Sequence, residues 1–210
     1  LMPSRYQPGH ILASLRGEES ARDWPGADWP LYQNYVDAIR YGQVDRYLAN
    51  SFIYAVLITG AQLFFNVLAA YAFARMAFRG RDLLFALLLS TMMVPPAVLL
   101  VPNFIVVRDL GLVDTLWGIL LPGFAGAFGV FLLRQAFLNI PAELEQAARI
   151  DGCGSWGILW NVVLPLSKPA LITLGLFTFM GAWNMFEWPL VVLSNQDYYP
   201  LTVGLSFFRA

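Results

Sequence analysis

The chain has 210 residues, 58% of them hydrophobic and only 13% charged, with a formal net charge of −1. Charges kept out of several stretches long enough to cross a bilayer predict an integral membrane protein, and near-neutrality without a Lys/Arg run removes the electrostatic basis for nucleic-acid binding. The single Cys153 rules out an intrachain disulfide and a CxxC or zinc framework, and His10 has no His, Cys or carboxylate at ligand spacing, so neither a metal nor a cofactor is expected.

Residues 1–50 read as an extracytoplasmic segment. They carry Trp24, Trp29, Tyr32, Tyr35, Tyr41 and Tyr47 among mixed charges. Trp and Tyr favour membrane interfaces, so residues 31–47 are predicted to lie at the outer headgroups as a short amphipathic element, with a solvent-facing loop bearing aromatic anchors as the alternative. The transmembrane domain is expected over residues 51–210. A helix needs about 20 mostly apolar residues to cross the hydrocarbon core, and four runs qualify, over about 52–73, 83–107, 116–137 and 170–193. The first lies too far into the chain, and is too long, for a signal-peptide core. Each run must be helical, because lipid cannot satisfy open backbone groups. Pro95 and Pro96 remove two donors within the second run and should kink it, either as a gating hinge or as a fixed bend in the bundle.

The connections alternate in charge. Arg75, Arg79 and Arg81 against Asp82 place the first one in the cytoplasm by the positive-inside rule. The net-negative connection holding Arg108, Asp109 and Asp114 then faces outside, residues 138–169 return to the cytoplasm, and residues 195–200 emerge outside again.

The 138–169 loop has its own helical grammar. Pro141 suits a first turn, and Glu143 and Glu145 follow where carboxylates favour the positive end of the helix dipole. Leu144, Ala147, Ala148 and Ile150 supply an apolar surface with small residues at its centre, and Gly152 is placed to end the helix in the left-handed conformation. Asp151 sits near a helix C-terminus, where a carboxylate is disfavoured, so it either has a partner or caps the following turn. Ser155 is expected to cap a second short helix with Trp156, Leu159, Trp160 and Val163 on one face, ended by Pro165. Two short helices about a glycine turn form a knob that either seats in a cleft of another protein or packs back on its own bundle.

The last run carries Glu187, and an ionisable group inside an apolar run is either functional or paired, unless it lies at the outer rim where the cost falls away. If the helix begins at Ala170 and continues unbroken, Glu187 lies about 27 Å along it, near the outer interface. Trp183, Asn184, Phe186 and Trp188 surround it, and aromatic faces beside an amide and a carboxylate suit stacking on sugars and bonding their hydroxyls. The alternative is that these aromatics are packing or belt residues.

The 138–169 loop resembles the EAA motif of ABC-importer permeases, in which Glu-Ala-Ala is followed after three residues by Gly, after nine by Ile, and after one by Leu-Pro. The register here is Gln146-Ala147-Ala148, Gly152, Val162 and Leu164-Pro165, with every spacing kept and with Gln146 in place of the motif's Glu. Further segments are similar to the maltose-type carbohydrate permeases: Asn50-Ser51, Met93-Val94-Pro95-Pro96, Gly111-Leu112-Val113-Asp114-Thr115, Phe131-Leu132-Leu133-Arg134-Gln135, Gly181-Ala182-Trp183-Asn184 and Trp188-Pro189-Leu190.

The resemblance implies an all-α membrane protein, a polytopic helical bundle whose four spans are a truncated version of a six-span permease fold, with one span missing at each end. It implies a multi-pass component of a bacterial or archaeal cytoplasmic (inner) membrane. Its partners would be a cytoplasmic ABC ATPase dimer, a second permease subunit, an extracytoplasmic sugar-binding protein and membrane lipid. Glu145, Gln146, Ala147, Ala148, Asp151, Gly152, Leu164 and Pro165 would couple it to the ATPase. Trp183, Asn184, Glu187 and Trp188 would line the substrate pathway. The chain has no GxxxxGK[ST] loop of its own, so any ATPase is a separate chain. The absence of HExxH, GxSxG and paired intramembrane Asp argues against a membrane enzyme. An ion-coupled secondary transporter using Glu187 remains the alternative.

Overall fold

The computed structural model describes residues 43–206. Of the predicted interfacial element over 31–47, residues 31–42 lie outside them, and residues 44–47 form the start of a long helix. Among the described residues there is no strand, and the chain folds as a helical bundle built along one long helix.

That helix, α1 (Val44–Arg75), is 32 residues long, about 48 Å at 1.5 Å per residue. It begins eight residues before the apolar run. One stripe of it is buried, from Tyr47, Ser51, Tyr54, Ala55 and Ile58 to Val67, Ala70, Tyr71 and Ala74. The recurrence at three and four residues keeps these side chains on one face. Phe52, Ile53, Val56, Leu57, Phe64 and Phe65 on the other faces stay exposed, as lipid-facing residues do.

Alone among the described helices, α1 is long and apolar enough to cross a membrane; three bent pairs bring the spans to four if each pair counts as one. The second run divides into α2 (Arg81–Thr91) and α3 (Pro96–Asp109), bent by 101°. Pro95 and Pro96 therefore do more than kink it: Pro95 is extended at ψ 134° and Pro96 opens the next helix, the position a proline tolerates best. The third run comprises α4 (Leu116–Leu120), a 3₁₀ turn (Leu121–Gly123) and α5 (Ala127–Leu138), bent by 42°.

Broken spans leave backbone groups open, and α1 supplies their partners. Gln62 Nε2 donates to the Gly123 carbonyl at 2.9 Å, and Asn66 Oδ1 accepts from the Gly126 amide at 3.3 Å. Gly129 makes the second contact possible, because a Cβ there would collide with the Asn66 amide.

The loop helices are α6 (Ala142–Ile150) and α7 (Ser155–Ile158), followed by a π turn (Leu159–Val163) and α8 (Leu164–Leu166). The fourth span follows as α9 (Lys168–Trp183), bent by 79° from the Ser155–Leu166 segment. It corrects the expectation of one helix over 170–193. Asn184 ends α9, and α10 (Glu187–Val192) is a separate helix. The reason is Pro189. In a continuous helix its missing N–H would strand the Met185 carbonyl; here Thr202 Oγ1 of α11 (Leu201–Ser206) donates to that carbonyl at 2.6 Å. Glu187 thus opens a helix instead of lying far along one.

Two apolar clusters share α1. Tyr47, Tyr54, Ala55 and Ile58 pack with Ile119, Leu120, Val192, Leu193 and Val203. Val67, Ala70, Tyr71 and Ala74 pack with Val130, Leu133, Phe137, Ile158, Leu159 and Val163.

Candidate functional site

The helix-turn-helix over 142–163 takes the predicted form at its first helix and turn. Pro141 precedes α6 with extended ψ 133°, and Glu143 and Glu145 occupy the first turn. The C-terminus closes with the Cys153 amide donating to the Ala148 carbonyl at 2.9 Å and the Gly152 amide to that of Arg149 at 3.0 Å. This paired pattern needs a left-handed residue between, and Gly152 supplies it at φ 85°. Cys153 is the small apolar residue just past that turn, half-buried beside Gly157.

The second helix departs from expectation in two ways. Ser155 makes no side-chain cap, and Gly154 takes the cap position. Leu159 and Val163 are buried while Trp156 and Trp160 stay exposed at 65% and 61%, so the four do not form one inward face. Pro165 does not end the helix either. The π turn ahead of it widens the coil, a usual way to absorb a missing donor, and the helix breaks at Ser167.

Of the residues named for this segment, Gln146, Ala147, Asp151, Gly152 and Pro165 are exposed, and Ala148 and Leu164 half-buried. Glu145 points the other way. Its side chain and that of Arg75 are 9% and 12% exposed, with Arg75 Nε in ion-pair contact at 2.9 Å from Glu145 Oε1, without hydrogen-bond alignment. Arg75 Nη2 also donates to the Phe137 carbonyl at 2.5 Å and the Ile140 carbonyl at 2.6 Å. Tyr71, one turn earlier on α1, donates to the Ser155 carbonyl at 3.2 Å. Alongside, Arg134 donates to the Phe73 carbonyl at 3.3 Å and lies 4.1 Å from the Phe85 ring centre, joining α1, α2 and α5.

At the opposite end of α1 a second polar network holds residues 194–201. Asn50 Nδ2 donates to the Asp197 and Tyr199 carbonyls at 2.8 and 3.0 Å, Tyr54 to the Tyr198 carbonyl at 2.7 Å, and Ser51 Oγ accepts from the Leu201 amide at 2.8 Å. Asp114, left-handed at φ 61°, accepts from the Ser194 and Asn195 amides at 2.9 and 2.8 Å. Gly111 at φ 69° closes α3, and Thr115 Oγ1 caps α4 through the Gly118 amide at 3.2 Å. The Asn50-Ser51 and Gly111-to-Thr115 segments are therefore loop-holding devices.

Between α3, α4 and α10 lies an open cavity of about 530 Å³, lined by Pro96, Leu100, Asn103, Asn184, Glu187 and Trp188 among others. It brings together three of the four pathway candidates. Trp183 is not among its lining residues, and its ring stacks on Phe179 with centroids 5.9 Å apart. Asn184 Nδ2 donates to Met180 O at 2.8 Å, and the Trp188 indole to Gly118 O at 3.1 Å, so each presents its remaining surface to the cavity. Asn103 was missed from the sequence. Its signal was available, a lone amide inside an apolar run.

Broken apolar spans around one continuous helix, a buttressed helix-turn-helix at one end and a cavity with amide, carboxylate and indole groups define a polytopic helical membrane bundle. Residues 66–209 match the binding-protein-dependent transport system inner membrane component family, and the chain belongs to it. It is 38% identical to the arabinooligosaccharides transport system permease protein AraQ of Halalkalibacterium halodurans over 76% of its own length, and 35% identical to AraQ of Bacillus subtilis over 83%. It is 39% identical over 75% to the sn-glycerol-3-phosphate transport system permease protein UgpE of Yersinia pestis. The chain spans 57%, 63% and 56% of the lengths of these relatives. A bacterial ABC transporter involved in the import of the acidic polysaccharide alginate contains a chain similar in structure, with TM-score 0.74 and 36% identity, covering 80% of this chain and 61% of that one.

Proposed function

We propose that the chain is the transmembrane permease subunit of an ATP-driven importer, moving a sugar delivered by an extracytoplasmic binding protein into the cytoplasm. In this reading it is a transport subunit without an ATPase site, pairs with a second permease, and couples to a separate ATPase dimer through residues 145–165. The observation that carries it is the knob itself. The motif spacing is kept, and around the Gly152 turn Leu144, Ile150, Trp156 and Trp160 stand exposed at 45%, 86%, 65% and 61%, an apolar surface on an otherwise polar loop. Gln146, Ala147 and Asp151 share the exposed side, while Glu145 holds the segment from within. The domain division fits this reading, with residues 1–50 extracytoplasmic and residues 138–169 the cytoplasmic coupling loop.

The deciding experiment is energy coupling in vesicles containing the full permease pair and ATPase. Uptake should require ATP and the cognate ATPase. Uptake driven by a proton gradient alone would overturn the importer reading and transfer the role of Glu187 to ion coupling.

Asn103, Asn184, Glu187 and Trp188 form the wall of the substrate pathway on this subunit, and Trp183 packs behind it. Glu187→Gln and Asn184→Ala should each raise the apparent KM for uptake about tenfold, the equivalent of one hydrogen bond worth about 1.4 kcal/mol. An unchanged KM in both variants would leave these side chains to packing.

A further inference from the structure

Resting on the coupling reading above, we propose that Arg75 is a positioning residue that fastens the coupling segment to α1, and that α1 is the strut relating this segment to the 194–201 loop at the far end of the bundle. One guanidinium joins three elements. It belongs to the last turn of α1, bonds the Phe137 and Ile140 carbonyls at the end of α5, and faces the Glu145 carboxylate in the first turn of α6. Carbonyls past a helix end lack intrahelical partners and carry the negative end of the dipole, so a buried cation is held there strongly. Tyr71, four residues earlier and on the same face, binds the start of α7 through the Ser155 carbonyl. Both halves of the knob are therefore tied to successive turns on one face of α1.

The opposite end of α1 is tied in kind. Arg46 pairs with Asp197 at 2.5 Å, and Asn50, Ser51 and Tyr54 bond the backbone of residues 197–201. Between the two clamps α1 is continuous, whereas the second and third candidate spans are bent by 101° and 42°, and the fourth is interrupted between α9 and α10. A bent span can absorb a displacement at its break, while a straight helix clamped at both ends passes it on. Arginine is required at the inner clamp: its planar fork serves two carbonyls and a carboxylate together, which a lysine ammonium on a shorter reach of donors does not reproduce.

The test uses the complete transporter, with both permeases, the ATPase and the binding protein, reconstituted in vesicles. Readouts are the stimulation of ATP hydrolysis by loaded binding protein and the ATP hydrolysed per substrate imported, both normalised to assembled complex. Arg75→Lys and Asn50→Ala, at opposite ends, should each lower stimulation about tenfold, within the usual range of allosteric coupling factors, and raise the ATP used per substrate. Tyr71→Phe, which removes one hydroxyl and keeps the ring, should move both readouts in the same direction by about twofold to fivefold, and it decides the matter if Arg75→Lys does not assemble. Unchanged stimulation per complex in the variants that assemble would overturn the strut, as would losses that follow assembly alone. Gly152→Val separates the two readings: if it loses stimulation while Arg75→Lys, Asn50→Ala and Tyr71→Phe keep it, the strut fails and docking stands; if it too keeps stimulation, the docking reading fails.

Discussion

Gly152→Val should leave the protein in the membrane and abolish most coupled transport. At φ 85° an L-residue with a branched Cβ is strained, by about 1–3 kcal/mol. No neighbour lies within 4 Å of a Cβ built there, so the penalty is conformational and not steric crowding. The chain can relieve it only by leaving the left-handed region. That breaks the bonds from the Gly152 and Cys153 amides to the Arg149 and Ala148 carbonyls and changes the angle between α6 and α7. In the docking proposed above, two helices that enter one cleft together then no longer fit. Uptake per assembled complex should fall by about tenfold or more, the rate equivalent of about 1.4 kcal/mol at the docked state. Asn, the best tolerated non-glycine residue in this conformation, should keep most of it. Gly152→Val with uptake and stimulated ATP hydrolysis both unchanged would remove the turn from the coupling mechanism.

Gly118→Ala and Gly60→Ala should change stability in opposite directions, although both place one methyl on a glycine within a helix. Gly60 is exposed on α1 and nothing lies within 4 Å of its new Cβ. The change should stabilise by up to about 1 kcal/mol through helix propensity. At Gly118 the same methyl runs into the Leu112 carbonyl and sits 3.1 Å from Val192 Cγ1. A backbone carbonyl cannot rotate away as a side chain can. The Gly118 amide and carbonyl are also committed, to Thr115 Oγ1 and the Trp188 indole. Overpacking of this kind costs about 1–3 kcal/mol, occasionally more, and the upper end is expected because three backbone segments converge here. Unfolding midpoints of the two variants in detergent check this. A loss at Gly60 equal to that at Gly118 would mean that the close approach of α4 to the 112 turn contributes nothing.

Local chemistry was legible where it depends on neighbours in sequence. The α6 start after Pro141, the left-handed Gly152 and the presence of a bend at Pro95-Pro96, though not its extent, follow from dihedral limits that hold wherever those residues occur. The fourth run misled because its composition is apolar through 193, and only the Thr202 hydroxyl, thirteen residues after Pro189, makes a break at 184–186 tolerable. Glu145 was read as an outward contact because its inward partner, Arg75, lies on a different helix. Trp183 and Trp188 looked alike in sequence, but one stacks on Phe179 and the other lines the cavity.

By itself, then, the sequence determined that this is a helical membrane protein of a transport family, with a small-residue helix-turn-helix between two spans, because hydropathy, proline and glycine limits and motif spacing are properties of the chain alone. Only the tertiary structure decided which side chains face inward. It set Glu145 on Arg75, brought Asn103 beside Asn184 and Glu187, and placed Asn50 and Asp114 on the 194–201 loop. These are pairings between distant segments, and in a bundle of broken spans they follow from which backbone groups each break leaves open and which neighbour can reach them.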